Sequence, residues 1–342
     1  MKARQVIITG PNAVSVREVE LPDPAPNQIL VQTEASAVSA GTELAVYTGT
    51  HQWLKDPNLP DWKFPFRPGY SAAGVVVAVG SAVPNWKAGD RVSYPGNHAS
   101  AELLTLGHER CRLWRLPAGL DADRAAWACV ARYGLGASIR AGITLGRSAA
   151  VLGLGVIGQF ALRGLIAAGA QPVVGIDAVP MRRQAARAAG ADHVIDPAAG
   201  DLREQLSGVL NHRGAEVVAD ATGVPDAVPI AMSLACDGGQ VVVVGSPRGK
   251  AKDVNFYDDL HRRYIEVSGA HGNMLFEPAH TRLAGGWDID KAQTWLIAAL
   301  ASGRLSLAGL VTHRIHPEEI GAAYEGLLKK KDEYLGVLVR WR

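Results

Sequence analysis

Cysteine is scarce. The 342-residue chain holds three, Cys111, Cys129 and Cys236, with no CxxC pair. An odd, scattered set argues against a disulfide framework, and three thiols cannot build an all-cysteine tetrahedral zinc site. Excess charge of one sign is also missing. The formal net charge is +2, too balanced for a nucleic-acid binder that works by charge alone. The first residues, MKARQVIITG, lack the apolar core of a signal peptide. The most apolar stretch, residues 149–176, is broken by Gln159, Arg163, Gln171, Pro172 and six glycines, which argues against a membrane helix. The expectation is a cytoplasmic globular protein with no nucleic-acid or membrane partner. Its length favours two domains.

Two textures follow one another along the chain. Up to about residue 120, short β-rich runs alternate with turns: Val6–Thr9, Ser15–Val19, Gln28–Thr33 and Gly74–Val79. Beyond Asp121 the runs become compact and apolar without alternation, at 149–152, 172–177, 193–196, 217–220 and 240–245. Strands buried on both faces have this pattern. Helix-like stretches, such as 158–168 and 180–189, lie between them, and strand–helix repetition implies a doubly wound parallel sheet. After Gly269 the repetition stops. Helices are predicted at 289–302 and 318–328 and a last strand at 335–340, a set expected to return to the first domain. The expected fold class is therefore α/β, with domain boundaries at 1–122 plus 271–342 and at 123–270.

Within the second texture, Gly153, Gly155 and Gly158 have G-x-G-x-x-G spacing. The motif follows a buried strand, opens a helix and precedes a second strand ending in Asp177, the context that makes it a dinucleotide fingerprint. Gly153 permits the tight turn, Gly155 lets the backbone approach a pyrophosphate, and Gly158 lets helix and strand pack closely. Val156 and Ile157 supply the amide groups at the helix start. Asp177 accepts from the ribose hydroxyls and repels a 2′-phosphate, so NAD is the expected cofactor. Arg182 and Arg183 lie close enough in sequence to weaken that exclusion.

The chain resembles the medium-chain dehydrogenase/reductase family, the zinc-type alcohol and polyol dehydrogenases, over essentially its whole length. The resemblance rests on Val38-Ser-Ala-Gly-Thr-Glu43, Pro68-Gly-Tyr-Ser-Ala-Ala-Gly74, Ala88-Gly-Asp-Arg-Val92, the phosphate loop, Ala219-Asp-Ala-Thr-Gly223 and Gly238-Gly-Gln-Val-Val-Val-Val-Gly245. It implies a GroES-like β domain built from both chain ends around a Rossmann domain. It also implies that Thr222, Gly245, Ser246, Ala270 and Gly272 contribute to cofactor binding. The departures are specific. Family members with catalytic zinc carry a cysteine where this chain has Ala40 and a His-Glu pair where it has Tyr70-Ser71. Cys129 matches the third ligand, and one thiolate cannot hold zinc. Of the four-cysteine structural lobe only Cys111 remains. No metal is expected.

Without a metal, hydrogen-bond donors must stabilise the reacting oxygen. Thr42 matches the family's relay hydroxyl, against a bland reading as a helix-cap threonine. Tyr70 offers a phenol, against simply filling the vacated space. Glu43 is expected to support the site from behind. His51, His271 and His98 are candidate acid/base groups. The run Tyr47, Trp53, Trp62, Phe64, Phe66, Tyr70 crowds one loop, either as a substrate wall or as a local mini-core.

The resulting expectation is a zinc-independent, NAD-dependent oxidoreductase that moves hydride between nicotinamide and a secondary alcohol or ketone. The preferred substrate is a polyol, cyclitol or sugar-like small molecule. The alternatives are a bacteriochlorophyllide-dehydrogenase-like biosynthetic enzyme, a zinc-free quinone or enone reductase, and a non-catalytic NAD-binding redox sensor. The strand near 265–270 would lie at a sheet edge, and a homodimer or homotetramer is expected from it.

Overall fold

The computed structural model describes residues 1–108, 111–142, 144–211 and 214–342, and of Asn273 the backbone only. The chain divides into two compact units, residues 1–130, 297–302 and 311–342, and residues 131–296 and 303–310.

Strands β1 (Lys2–Gly10) and β2 (Ala13–Glu20) form an antiparallel hairpin turned at Asn12, which holds a positive φ of 57°. There follow β3 (Gln28–Ala37), α1 (Ala40–Tyr47), β4 (Ala72–Val79), β5 (Arg91–Tyr94), β6 (Ala101–Thr105), β7 (Trp114–Arg115), α2 (Ala122–Ala125) and α3 (Ala128–Ala141). Next come β8 (Ala149–Leu152), α4 (Val156–Ala167), β9 (Val173–Ile176), α5 (Pro180–Ala188), β10 (His193–Ile195), α6 (Leu202–Leu210), β11 (Ala215–Asp220), α7 (Ala227–Leu234), β12 (Ala235–Val243) and β13 (Glu266–Gly269). The chain ends with α8 (Ile289–Ser302), β14 (Val311–Ile315), α9 (Ile320–Lys329) and β15 (Gly336–Arg340).

In the first unit the sheet order is β14-β15-β3-β4-β5-β7, with β6 also paired to β3. All its pairings are antiparallel except β14–β15. The last strand thus adds to the sheet begun by β3, the return to the first domain that the sequence pattern suggested. Gly74 is required where β3 and β4 cross closely, because a Cβ there would lie 2.1 Å from Gln32 O. Helix α1 interrupts what reads as an all-β stretch. Its apolar residues Val46 and Tyr47 pack into a core with Val6, Ile8, Tyr324, Leu327 and Val339, so tertiary burial rather than periodicity makes this short helix stable.

In the second unit six parallel strands take the order β10-β9-β8-β11-β12-β13. This is the doubly wound arrangement that crosses over at β8 and β11. The central strands β8 and β9 are buried throughout. The edge strands are not. β10 exposes His193, which corrects the expectation that the 193–196 run would be buried on both faces, and β13, expected at a sheet edge, exposes Glu266 and Val267. An edge strand has a neighbour on one side only, and a covering helix is not guaranteed. Phe256, Tyr257 and Tyr264, just before β13, are also exposed.

Residues 271–296 group with the parallel-sheet unit, against an expected boundary after 270. Two short helical turns, Asn273–Phe276 and Pro278–His280, follow β13, and they bury Leu275 and Phe276. No helix among the described residues is long and apolar enough to cross a membrane.

Candidate active site

The phosphate loop lies between β8 and α4. Gly153 has φ of +85°, and a Cβ there would meet Thr222 at 2.9 Å. A Cβ at Gly158 would lie 1.8 Å from Gly153 O, so both positions need glycine. At Gly155 a Cβ would meet nothing within 4 Å. The space over the start of α4 is open, Gly155 caps the helix without a side chain, and the first-turn amides of Val156, Ile157 and Gly158 have no intrahelical acceptor. This cradle fits an anionic phosphate group.

Asp177 closes the same corner. Its Oδ2 accepts from Leu154 N at 2.8 Å and its Oδ1 from Val179 N at 2.8 Å. Each oxygen retains a lone pair for a ribose hydroxyl. Arg182 Nη1 lies 3.5 Å from Asp177 Oδ2, so the carboxylate's charge is partly countered. Arg183 turns away to the carbonyl oxygens of Asp177 and Ala178 and to Asp196. Gln159, buried, donates to Leu154 O and Arg182 O, bracing the loop from beneath.

Thr222 is held by Asp220, whose Oδ1 accepts from both Thr222 N and Thr222 Oγ1. Burial pushes the Asp220 carboxyl up, against those two hydrogen bonds. Gly245 packs against Gly223 N, where a Cβ would approach to 2.5 Å, and Gly223 faces Ser246 O. Ser246 is exposed and Ala270 buried. Gly272 abuts the Tyr133 ring, which a Cβ would strike at 2.0 Å. His271 is exposed, and its carbonyl accepts from Leu275 N.

The first unit carries the hydroxyl candidates. Ser39 caps α1 and Thr42 stands in its first turn, partly exposed. Tyr70, also partly exposed, hydrogen-bonds through its phenol to Ser39 Oγ. Behind them lies Glu43, 1% exposed. Its Oε1 accepts from Ser39 N at 2.7 Å, and its Oε2 accepts from Tyr324 Oη at 2.6 Å and lies 3.0 Å from His98 Nε2. Burial pushes the Glu43 carboxyl up, but the His98 ring and the hydrogen bonds from His98, Tyr324 and Ser39 outweigh it and hold the group below its ordinary value. His98 Nδ1 lies 2.8 Å from Ser36 Oγ, which accepts from Trp341 Nε1 at 2.9 Å.

His98 is thus fully buried within this network, and a direct substrate contact, the role sequence position suggested, is closed to it. His51 is also buried. Its Nδ1 accepts from Trp53 N, and its ring stacks on Trp62 at 4.5 Å. Trp62, Phe64 and Phe66 pack against the core that holds Val6, Val46 and Tyr324, the mini-core alternative for the aromatic loop. Sequence reasoning missed Ser39, Ser36, Tyr324 and Trp341. Only Ser39 carries a local signal, a serine at a helix start with glutamate four residues on.

The donor set at the expected zinc position does not fit the metal. Ala40 offers a methyl, Tyr70 a phenol already bonded to Ser39, and Cys129 is buried in α3. Ser71 donates to Ala126 O at 2.5 Å and accepts from Val130 N at 3.2 Å, tying down the turn that carries Cys129. Among the described residues no group of three or more His, Cys, Asp or Glu is arranged to hold a metal ion.

A GroES-like β unit with a six-stranded parallel sheet and a dinucleotide loop defines a two-domain dehydrogenase. Residues 25–135 match the alcohol dehydrogenase GroES-like domain, and residues 156–284 match the zinc-binding dehydrogenase domain. The chain is 30% identical to 2-desacetyl-2-hydroxyethyl bacteriochlorophyllide A dehydrogenase of Cereibacter sphaeroides, covering 100% of this chain and 99% of that protein. It is 27% identical to sorbitol dehydrogenase of Bacillus subtilis, covering 99% and 97%. Its fold matches that of a short chain alcohol dehydrogenase from Escherichia coli CFT073 solved with NADH, with a TM-score of 0.81, 17% identity and 99% of each chain covered. The chain belongs to the medium-chain dehydrogenase/reductase family and is an alcohol dehydrogenase-like oxidoreductase.

The loop that carries Tyr70 has a titratable anchor. Asn97 Nδ2 donates to Arg67 O and Gly69 O, and Arg67 Nη2 reaches Glu102 Oε1 at 3.1 Å. Burial pushes the Glu102 carboxyl up to about 7, against the opposing pull of Arg67, Asn97 and His98. Ionisation of Glu102 therefore costs the folded state more than the unfolded one. Stability is present in full below the ordinary carboxylate range and is lost as pH rises through the folded value. Thermal melts of wild type and Glu102→Gln should diverge in favour of the variant between about pH 5 and about pH 8. A constant difference across that range would contradict the assignment.

Proposed function

We propose that this chain is a zinc-independent enzyme that uses NAD to interconvert a secondary alcohol and its ketone, on a polyol, cyclitol or sugar-like substrate. One observation carries the reading. The phosphate loop keeps every glycine that the turn and the helix–strand contact require, while the zinc position holds Ala40 and a Tyr70–Ser39–Glu43 hydrogen-bonded set. The cofactor supplies or accepts the hydride. What the protein must provide is a proton donor and acceptor for the substrate oxygen and a field that stabilises it. Thr42 and Tyr70 are the partly exposed hydroxyls placed for that task. A second reading has its own support. The 30% identity to the bacteriochlorophyllide dehydrogenase extends over the entire chain, which favours a larger hydroxyethyl-bearing substrate. Rates of NAD reduction with sorbitol, inositol, butane-2,3-diol and a hydroxyethyl chlorin compared side by side separate the two.

NAD should bind more tightly than NADP, because Asp177 has lone pairs for ribose hydroxyls and its charge, though shared with Arg182, opposes a 2′-phosphate. Calorimetric titration with each cofactor checks this, and Asp177→Ala should narrow the preference. Equal or tighter NADP binding by the wild type would show that Arg182 dominates.

Thr42→Val and Tyr70→Phe preserve shape and remove one hydroxyl each. If these groups stabilise the oxygen, each variant should lose on the order of 10²–10³-fold in turnover with cofactor affinity unchanged. Full turnover in both would remove them from the chemistry.

A further inference from the structure

The hydroxyl of Ser39 has been diverted from its ordinary use. A serine at a helix N-cap normally spends its Oγ as acceptor for an amide of the first turn. Ser39 occupies the N-cap of α1 and makes no such bond. Its backbone N–H is taken by Glu43 Oε1 at 2.7 Å, and its carbonyl accepts from Thr42 N and Glu43 N. The backbone of Ser39 is therefore clamped on both sides. Its side chain has one partner among the described residues, Tyr70 Oη.

The direction of that bond follows from burial. Ser39 is 5% exposed, whereas Tyr70 is partly exposed. If the phenol donated to Ser39 Oγ, the buried serine proton would be left without an acceptor, which is costly in a site removed from water. If Ser39 donates to Tyr70 Oη, the serine is satisfied and the phenolic proton is directed away from it. The clamp itself is rigid. Glu43 is fixed by Tyr324 Oη and faced by His98 Nε2, and His98 is fixed by Ser36, which Trp341 holds in turn. Burial and the Glu43 charge push the Tyr324 phenol well above its ordinary value, so it stays a donor to Glu43.

We propose that Ser39 is a positioning residue that donates to Tyr70 Oη, aims the phenolic proton at the substrate oxygen and stabilises the phenolate left when that proton is given up. The inference rests on the reading of Tyr70 as the acid/base group. In the direction of ketone reduction, a bound reduced dinucleotide would supply hydride to the carbonyl carbon. The phenolic proton passes to the carbonyl oxygen, and the products are the alcohol, the oxidised dinucleotide and a Tyr70 phenolate held by Ser39. Proton uptake from water restores the phenol.

The test follows Tyr70 itself. Wild type, Ser39→Ala and Ser39→Thr are labelled with 13Cζ-tyrosine and titrated by NMR, with Tyr70→Phe identifying the Tyr70 signal among the eight tyrosines. Loss of a hydrogen bond to a charged group should move the Tyr70 midpoint upward by about one to two pH units in Ser39→Ala. Ser39→Thr, which keeps a hydroxyl, should restore it. Melting temperature and NAD affinity should stay near wild type in Ser39→Ala, separating positioning from loss of fold. An unchanged or lowered midpoint in a folded Ser39→Ala would overturn the proposal. Turnover of Tyr70→Phe, measured with whichever alcohol the panel identifies, keeps the two claims apart. Full turnover there rejects Tyr70 as acid/base and with it the role assigned to Ser39. Low turnover combined with an unmoved Ser39→Ala midpoint rejects the role of Ser39 alone.

Discussion

The first unit is organised around one buried carboxylate. Glu43 is almost completely removed from water, and an isolated charge in that position would be prohibitively costly. Its partners come from widely separated parts of the chain: Ser39 at the start of the same helix, His98 from the turn between β5 and β6, and Tyr324 from α9. Through His98 the network extends to Ser36 at the end of β3 and to Trp341 beside the last strand. The carboxylate therefore ties the closing elements of the chain to its opening sheet, and it does so directly beneath the two hydroxyls offered for chemistry. Removing the His98 or Tyr324 side chain would leave another polar group buried and unpaired, which makes the set behave as a unit.

The second unit depends on steric constraints at three glycines rather than on charge. Gly153 must adopt a left-handed turn, Gly158 must let α4 lie against the loop, and Gly245 must pass close to Gly223. At each of the three a side chain is excluded by neighbouring atoms, and the open space over the start of α4 lies at Gly155. Gln159 and the Asp177 carboxylate then hold the loop to its neighbouring strand by hydrogen bonds to Leu154, Val179 and Arg182. A rigid anion cradle results from the absence of side chains at some positions and from full hydrogen-bond satisfaction at others.

Much of this was readable in advance, for definable reasons. The parallel strands and the phosphate loop are local features, in which glycine spacing, apolar runs and a terminal aspartate all lie within about thirty residues. The hydroxyl network was not readable in the same way. Glu43 and Thr42 stand out by their motif, but Tyr324 and Trp341 reach Glu43 and Ser36 across nearly the whole length of the chain, and no periodicity signals such contacts. His51 and His98 were over-read for a related reason. Histidine next to a suggestive loop looks catalytic, whereas stacking on Trp62 and pairing with Glu43 use up both rings in packing. The aromatic loop shows the same effect, since its density of rings arises from the need to build a core around α1.

The central claim is that hydrogen-bond donors have replaced a metal in this member of a zinc-binding dehydrogenase family. Elemental analysis of the purified protein, made after dialysis into metal-free buffer and repeated with added zinc, tests it most directly. With Ala40 and Tyr70 at two ligand positions and Cys129 buried, bound zinc should be well under one per chain in both preparations, and chelator should alter neither melting temperature nor turnover. One tightly held zinc per chain, with turnover lost on chelation and restored on its return, would contradict the account.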